Sequence, residues 1–322
     1  MQKRTLGKTG LEVSELGYGA WGIGQTMWIG ADDDESMRAL RRAIELGVNF
    51  VDTAHAYGNG HSEELVGRAV REAAETVHVS TKIPPRNMQW PAQAGVRAEE
   101  VFPADWVVRC TEESLERLGL ETVDVQQFHV WSDEWVGQGD WLDAIEQLKR
   151  DGKIRFFGVS INDHQPANAV RLVESGAVDT VQAIYNVFDQ SPEDELFPAV
   201  QEANVGVIVR VPFDEGSLTG AIRPDTEFPD GDFRNNYFRD GRRAEVWERA
   251  QAIAREVDRP VDELAETALR FCLSQPAVST VIADMRSLRN VERNVQAASA
   301  GPLGEDELES LRPHRWVRDF YR

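Results

Sequence analysis

Val48-Asn49-Phe50-Val51-Asp52-Thr53-Ala54-His55-Ala56-Tyr57-Gly58 starts as an apolar run and ends in a loop bounded by glycine. The run reads as a short buried strand closed by the carboxylate of Asp52, with the phenol of Tyr57 in the loop behind it. The design recurs twice: Lys82 closes Val77-His78-Val79-Ser80-Thr81, and His129 closes Val123-Asp124-Val125-Gln126-Gln127-Phe128. In a parallel barrel every strand delivers its C-terminal end to one mouth, so residues distant in sequence meet there. A carboxylate, a phenol, an ammonium and an imidazole in one mouth make a proton-donating site.

Strand and helix patterns alternate along the rest of the chain. A hairpin, Arg4-Thr5-Leu6 turning through Gly7-Lys8-Thr9-Gly10 into Leu11-Glu12-Val13, precedes a first strand that runs into a glycine-rich loop. Acids at residues 32–35 favour the start of a helix that Gly47 ends. Ser62 reads as the N-cap of the next helix, and Pro103 and Gly119 bracket a third. Further strands are expected at residues 154–159, 178–183, 205–209 and 278–283, with a last helix near residues 288–298. Eight helix-linked strands predict a (β/α)8 TIM barrel, α/β in class, as a single domain over residues 1–322. No Gly-x-Gly-x-x-Gly opens a helix after a strand, so an open dinucleotide-binding sheet finds no support. A long loop, residues 212–241, follows the seventh strand. Its Phe213, Leu218, Phe228, Phe233, Tyr237 and Phe238 favour docking over disorder.

Composition narrows the function. A net charge of −20 argues against general nucleic-acid or anionic-membrane partners. No apolar run approaches the ~20 residues of a membrane span. The first residues lack the apolar core of a signal peptide, which predicts a cytoplasmic protein. Cys110 and Cys272, the two cysteines, fall in helical patterns, and no Cys-x-x-Cys pair exists, so neither a disulfide framework nor a metal is expected. Lysines number 5 against 30 arginines, which makes Lys82 at a strand end conspicuous.

The 49–58 stretch, continued by Ser62-Glu63-Glu64-Leu65-Val66-Gly67, resembles the aldo-keto reductase motif. So do Ser80-Thr81-Lys82, Asp124-Val125-Gln126-Gln127-Phe128-His129 and Gly152-Lys153-Ile154-Arg155-Phe156-Phe157-Gly158-Val159-Ser160, in the family's order. The resemblance implies interconversion of aldehydes or ketones with alcohols through a nicotinamide cofactor. Asp52, Tyr57, Lys82 and His129 would be the catalytic set, Tyr57 passing the proton and Lys82 lowering its pKa.

By the same resemblance, Ser160, Asn162 and Gln182 would bind the nicotinamide carboxamide. Ile161 intervenes between Ser160 and Asn162, where the family often has Asn directly after Ser. Trp21 also counts among the cofactor contacts. Arg210 stands where many members stack an aromatic on the ring, which predicts a bias against the oxidised, cationic form. Pro212, Phe213, Ser217, Leu218 and Gly220 would strap the pyrophosphate. Arg286, Asn290 and Asn294 would contact the adenosine side, and Arg286 favours NADP(H) over NAD(H) unless Asp284 faces the same phosphate.

Trp28, Trp90 and Trp131 are expected to line an apolar substrate pocket, with a small carbonyl compound or sugar as the partner. The sequence names neither the substrate nor the oligomeric state. Two rival roles fit similar barrels: a regulatory nicotinamide-binding subunit with little turnover, and a lyase or epimerase that recycles its cofactor.

Overall fold

In a β-strand alternate side chains share a face, and that period decides what reaches the mouth of a barrel. The computed structural model describes residues 1–321. Two short strands, β1 Lys3–Thr5 and β2 Glu12–Ser14, form an antiparallel hairpin. The next four are β3 Leu16–Gly19, β4 Phe50–Asp52, β5 His78–Ile83 and β6 Val123–Phe128. The last four are β7 Ile154–Ser160, β8 Thr180–Ile184, β9 Gly206–Arg210 and β10 Thr280–Asp284. Strands β3 to β10 pair in parallel in chain order, and β10 closes on β3 to complete the barrel.

Each strand sets an inward-facing residue low in the barrel and, two positions later, one at its mouth. Low in the barrel, Phe50, Val125, Ile208 and Ile282 pack with Leu6, Leu11 and Val13 of the hairpin, which plugs the far end. Two residues further on stand Asp52, Gln127, Arg210 and Asp284, and the same step carries Ser80 to Lys82 and Thr180 to Gln182. Register sets Gly19 opposite both Asp52 and Asp284 and Lys82 opposite Gln127, and it steps by two residues between Asp52 and Lys82 and between Gln182 and Arg210. The ring of polar groups at the mouth therefore follows from period and register alone.

Helices cover the outside. The helix Asp33–Glu45 is capped by Asp32, whose carboxylate accepts from the Glu35 amide at 2.9 Å. Ala104–Leu118 starts after Pro103 and ends at a left-handed Gly119, as the sequence predicts. The expected cap at Ser62 is not observed. His61–Glu72 starts after Gly60, and the buried Ser62 hydroxyl instead bonds the Ala20 carbonyl and the Thr53 hydroxyl, tying the helix to the mouth. Leu288–Ser299 is not the last helix either, since Glu305–Leu311 follows. Cys110 and Cys272 are buried and unpaired. No helix among the described residues is long and apolar enough to cross a membrane.

The long loop after β9 is docked. It opens with a short helical turn, Asp214–Thr219, and carries a further one, Arg234–Tyr237. Ile222, Tyr237 and Phe238 bury themselves with Val246 and Phe320. Phe233 packs on Trp21 at 4.9 Å and Trp28 at 5.2 Å between ring centres, while its amide bonds the Met27 carbonyl.

Candidate active site

Lys82 is fully buried, and its ammonium has three partners. It pairs with Asp52 Oδ1, donates to the Thr53 carbonyl at 2.8 Å, and donates to the Tyr57 hydroxyl at 3.2 Å. Asp52 Oδ2 is occupied from the other side, accepting from Gln127 Nε2 at 3.1 Å and Gln182 Nε2 at 2.9 Å. A buried carboxylate with three donors stays where it is put. The Tyr57 ring meets the His129 ring edge to face at 5.6 Å. The four strand-end residues thus converge.

Tyr57 is positioned by a turn that demands glycine. Gly58 has φ of 64°, and a Cβ there would lie 2.2 Å from the Gly24 carbonyl oxygen. The reciprocal position is close too, with a Cβ on Gly24 falling 3.0 Å from the Gly58 nitrogen. The glycine-rich loop after β3 is therefore pressed directly against the loop that carries the phenol.

The electrostatics correct one expectation. Burial raises the Tyr57 pKa above its ordinary value, and the downward pull of Lys82 does not overcome it; Asp52 and Asp284 add to the rise. Tyr57 is thus a neutral phenol at neutral pH, set up to give a proton. Burial disfavours the Lys82 charge, but Asp52 and Tyr57 outweigh it and raise its pKa. Burial, followed by Lys82 and Arg210, pushes His129 well below its ordinary value, so its imidazole is neutral.

Around this centre the other expected residues divide. Trp21, Trp28 and Trp90 reach the mouth. The Trp21 ring lies 6.3 Å from that of Tyr57 and 5.9 Å from that of Trp28, and the Trp90 ring lies 5.8 Å from that of His129. Trp131 does not. It is buried in the outer core with its ring 5.6 Å from Trp135 and 5.4 Å from Trp141, so it is no pocket residue. It follows His129 by two positions, but β6 has ended at Phe128, and the chain there turns its ring to the outer core.

The Asn162 amide is taken up by the Trp90 loop, accepting from the Ala92 amide at 3.0 Å and donating to its carbonyl at 3.3 Å. Gln182 Oε1 accepts from Ser160 at 3.5 Å while its amide nitrogen serves Asp52, so the two residues adjoin the tetrad. Arg210 is not a free charge: it donates to the Ile161 carbonyl at 3.0 Å and to Asp163 at 2.7 Å. Asp284 turns inward and accepts from the Gly22 amide at 3.2 Å. Burial raises its pKa to about 7 against the opposing pull of that amide and Arg286.

Gln127 as a brace for Asp52 was missed by sequence reasoning, although its place two residues after Val125 marked it as mouth-facing. A cavity of about 610 Å³ opens beside the mouth, lined by Ala92, Asp133, Asn162, His164, Asn168 and Ser191 among others; no tetrad member lines it.

The residues present fit a polar dinucleotide. Trp28 Nε1, His129 Nδ1, Arg210 Nε, Ser217 Oγ and Asn294 Nδ2 are buried polar atoms without a partner. Buried polar groups are normally satisfied, and of the seventeen such atoms among the described residues these five belong to positions expected to contact cofactor or substrate.

Comparison with known proteins agrees. A model described as the Aldo/keto reductase family matches residues 15–315. The uncharacterized oxidoreductase YqkF of Bacillus subtilis (strain 168) is 30% identical over 323 residues, covering 100% of this chain and 99% of its own. Aldo-keto reductase AKR11C1 from Bacillus halodurans, in its holo form, superposes with a TM-score of 0.76 at 28% identity over 100% of both chains. The glycerol dehydrogenase AKR11B4 from Gluconobacter oxydans gives 0.77 at 28% identity, over 97% of this chain and 94% of that one. Barrel, strand-end constellation and a family match over nearly its whole length lead to one conclusion: the chain belongs to the aldo/keto reductase family of NAD(P)H-dependent oxidoreductases.

Proposed function

We propose that this protein reduces an aldehyde or ketone to an alcohol, or runs the reverse reaction, with Tyr57 as proton donor and NADPH as the preferred hydride source. The observation that carries this reading is the Lys82 ammonium, which touches both the Asp52 carboxylate and the Tyr57 hydroxyl inside the mouth. A nicotinamide cofactor supplies hydride to the carbonyl carbon when bound. The chain's own residues supply the rest. The neutral Tyr57 phenol hands its proton to the developing alkoxide, and Lys82 steadies the phenolate left behind. Asp52, held by Gln127 and Gln182, keeps Lys82 charged and in place. His129, neutral by burial, hydrogen-bonds the substrate oxygen without competing for the proton.

Ser160 and Gln182 would hold the carboxamide. Asn162 acts at one remove, through the loop that carries Trp90. Pro212, Phe213, Ser217, Leu218 and Gly220 form the strap over the pyrophosphate. Arg286, Asn290 and Asn294 hold the adenosine end, and Arg286 favours a 2′-phosphate. Asp284 lies beside Arg286 but has its carboxylate engaged by the Gly22 amide at 3.2 Å, and the reading gives Arg286 the larger weight at that phosphate. The aromatic rim of Trp21, Trp28, Trp90 and Phe233 suits a small carbonyl compound with an apolar side.

The test is oxidation of NADPH against NADH over a panel of aldehydes, ketones and sugars, with Tyr57→Phe as control. Loss of the proton donor is expected to lower kcat by ~10²-fold or more. Full activity in Tyr57→Phe would overturn the assignment. Absence of turnover over the whole panel would point to a regulatory subunit, and product without net NADPH consumption to a cofactor-recycling lyase or epimerase.

A further inference from the structure

Residues 316–321 lie against the strap. Arg318 makes a two-pronged ion pair with Asp214, one arm at 2.9 Å, and both side chains are shielded from solvent. The Tyr321 hydroxyl bonds the Glu215 carboxyl, and its ring is wedged between Tyr237, at 4.9 Å, and His164, at 6.1 Å. The segment that brings them there is itself anchored. The Trp316 amide bonds the Phe188 carbonyl at 2.7 Å, and Arg242 donates to the Phe320 carbonyl at 2.9 Å. The Arg318 guanidinium lies 4.2 Å from the Trp316 ring and 4.6 Å from the Phe320 ring, so the cation is packed as well as paired.

The strap needs such restraint. Val211, Asp214 and Glu215 have φ of 57°, 49° and 55°, a region that L side chains seldom adopt and a β-branched residue least of all. The two tail contacts fall on two of these three residues. A backbone held in an unfavourable conformation relaxes unless its surroundings over-determine it, and here the surroundings are the chain's own C-terminal segment.

We infer that residues 316–321 are a clasp: Arg318 and Tyr321 are positioning residues that hold the 212–220 strap in its closed shape and so govern how fast the cofactor leaves. The inference rests on the strap reading made above. The two contacts differ in kind. Arg318 and Asp214 are an ion pair: burial works against the arginine charge and Asp214 more than restores it. Burial pushes Glu215 up to about 8 despite the pull of Tyr321, so that contact joins two largely neutral groups at neutral pH and carries little dependence on salt.

Stopped-flow fluorescence of NADPH release from the full chain tests the clasp, using Arg318→Met, Tyr321→Phe and Asp214→Asn. Arg318→Met keeps the packing on Trp316 and Phe320, and Asn tolerates the positive φ at position 214. Release is expected to speed up by about tenfold or more in Arg318→Met and Asp214→Asn, the lower range for a lost charged hydrogen bond, and by less in Tyr321→Phe. The KM for NADPH should rise while the KM for the carbonyl substrate stays level. Folded variants that melt earlier yet release NADPH within about twofold of wild type would show a merely structural tail and overturn the clasp. If Arg318→Met fails to fold, the Asp214 and Tyr321 variants decide by the same criterion. If the wild type binds no NADPH, the proposed function falls and the clasp with it; if it binds and turns over normally while release is indifferent to the tail, the clasp alone falls.

Discussion

Replacing Lys82 by Met is expected to cost both folding and catalysis, and the first cost can be worked from the contacts. Removing one member of a buried ion pair typically costs about 3–5 kcal/mol, because the other is left charged in a poor solvent. Asp52 would not be wholly abandoned, since Gln127 and Gln182 still donate to its Oδ2 at 3.1 and 2.9 Å. Those two bonds set the estimate at the low end, about 3 kcal/mol. Unfolding entropy of roughly 2.1 cal/mol/K per residue, over 322 residues, amounts to about 0.7 kcal/mol/K. The melting temperature should therefore drop by about 4 °C.

The double variant Asp52→Asn with Lys82→Met removes both charges and should recover about half of the loss, which makes the coupling measurable in a double-mutant cycle. Urea unfolding followed by circular dichroism gives the free energies, and calorimetry gives the melting temperatures. A Lys82→Met loss below about 1 kcal/mol, or a double variant no more stable than the single, would refute the claim that this pair matters to the fold through its charge.

Two further outcomes follow from the geometry. Trp131→Ala should destabilise by about 3–5 kcal/mol through the cavity it leaves among Phe128, Trp135 and Trp141, with the KM for substrate unchanged; a KM effect without instability would return Trp131 to the pocket. Asp284, its pKa raised to about 7 from 3.8, keeps its proton when folded after the unfolded chain has lost it. Its contribution to stability is full below about pH 4 and is lost as pH rises through about 7. Asp284→Asn should accordingly gain in melting temperature over wild type as pH goes from 5 to 8, and a flat difference would show that Asp284 is ionised throughout.

The barrel and the convergence of its strand-end residues were legible because both depend on local regularities. Apolar runs of strand length with a polar residue at the end specify Asp52, Lys82 and His129 directly, and parallel pairing brings them to one mouth. What the sequence concealed depends on contacts between distant segments. Trp131 looks like a mouth residue two positions after His129, but only the packing of Trp135 and Trp141 shows that it turns to the outer core. Ser62 has the right residue type for a cap, yet a buried bond to Ala20 claims its hydroxyl. The Tyr57 pKa hinges on how deeply the phenol is buried, which no motif records, and the neighbour that lowers it is visible in sequence while the burial that outweighs it is not. Arg210 reads as a bare cation until Asp163 is seen beside it. The tail over the strap joins residues more than 100 positions apart, beyond the reach of any periodicity.

The barrel closes where its last strand meets its first, with Val281 opposite Leu16. Those partners stand about 265 positions apart, a long-range pairing of the kind that slows folding. During synthesis the strands bearing Asp52, Lys82 and His129 emerge early and in order, but the ring they belong to has an open seam until β10 appears. Until then β3 offers an unpaired edge, and the hairpin that plugs the far end has no complete cylinder to plug. Assembly of the mouth is thus a late, chain-wide event. Substitutions that weaken the β3–β10 seam should lower the yield of folded protein before they touch the chemistry of a molecule already folded.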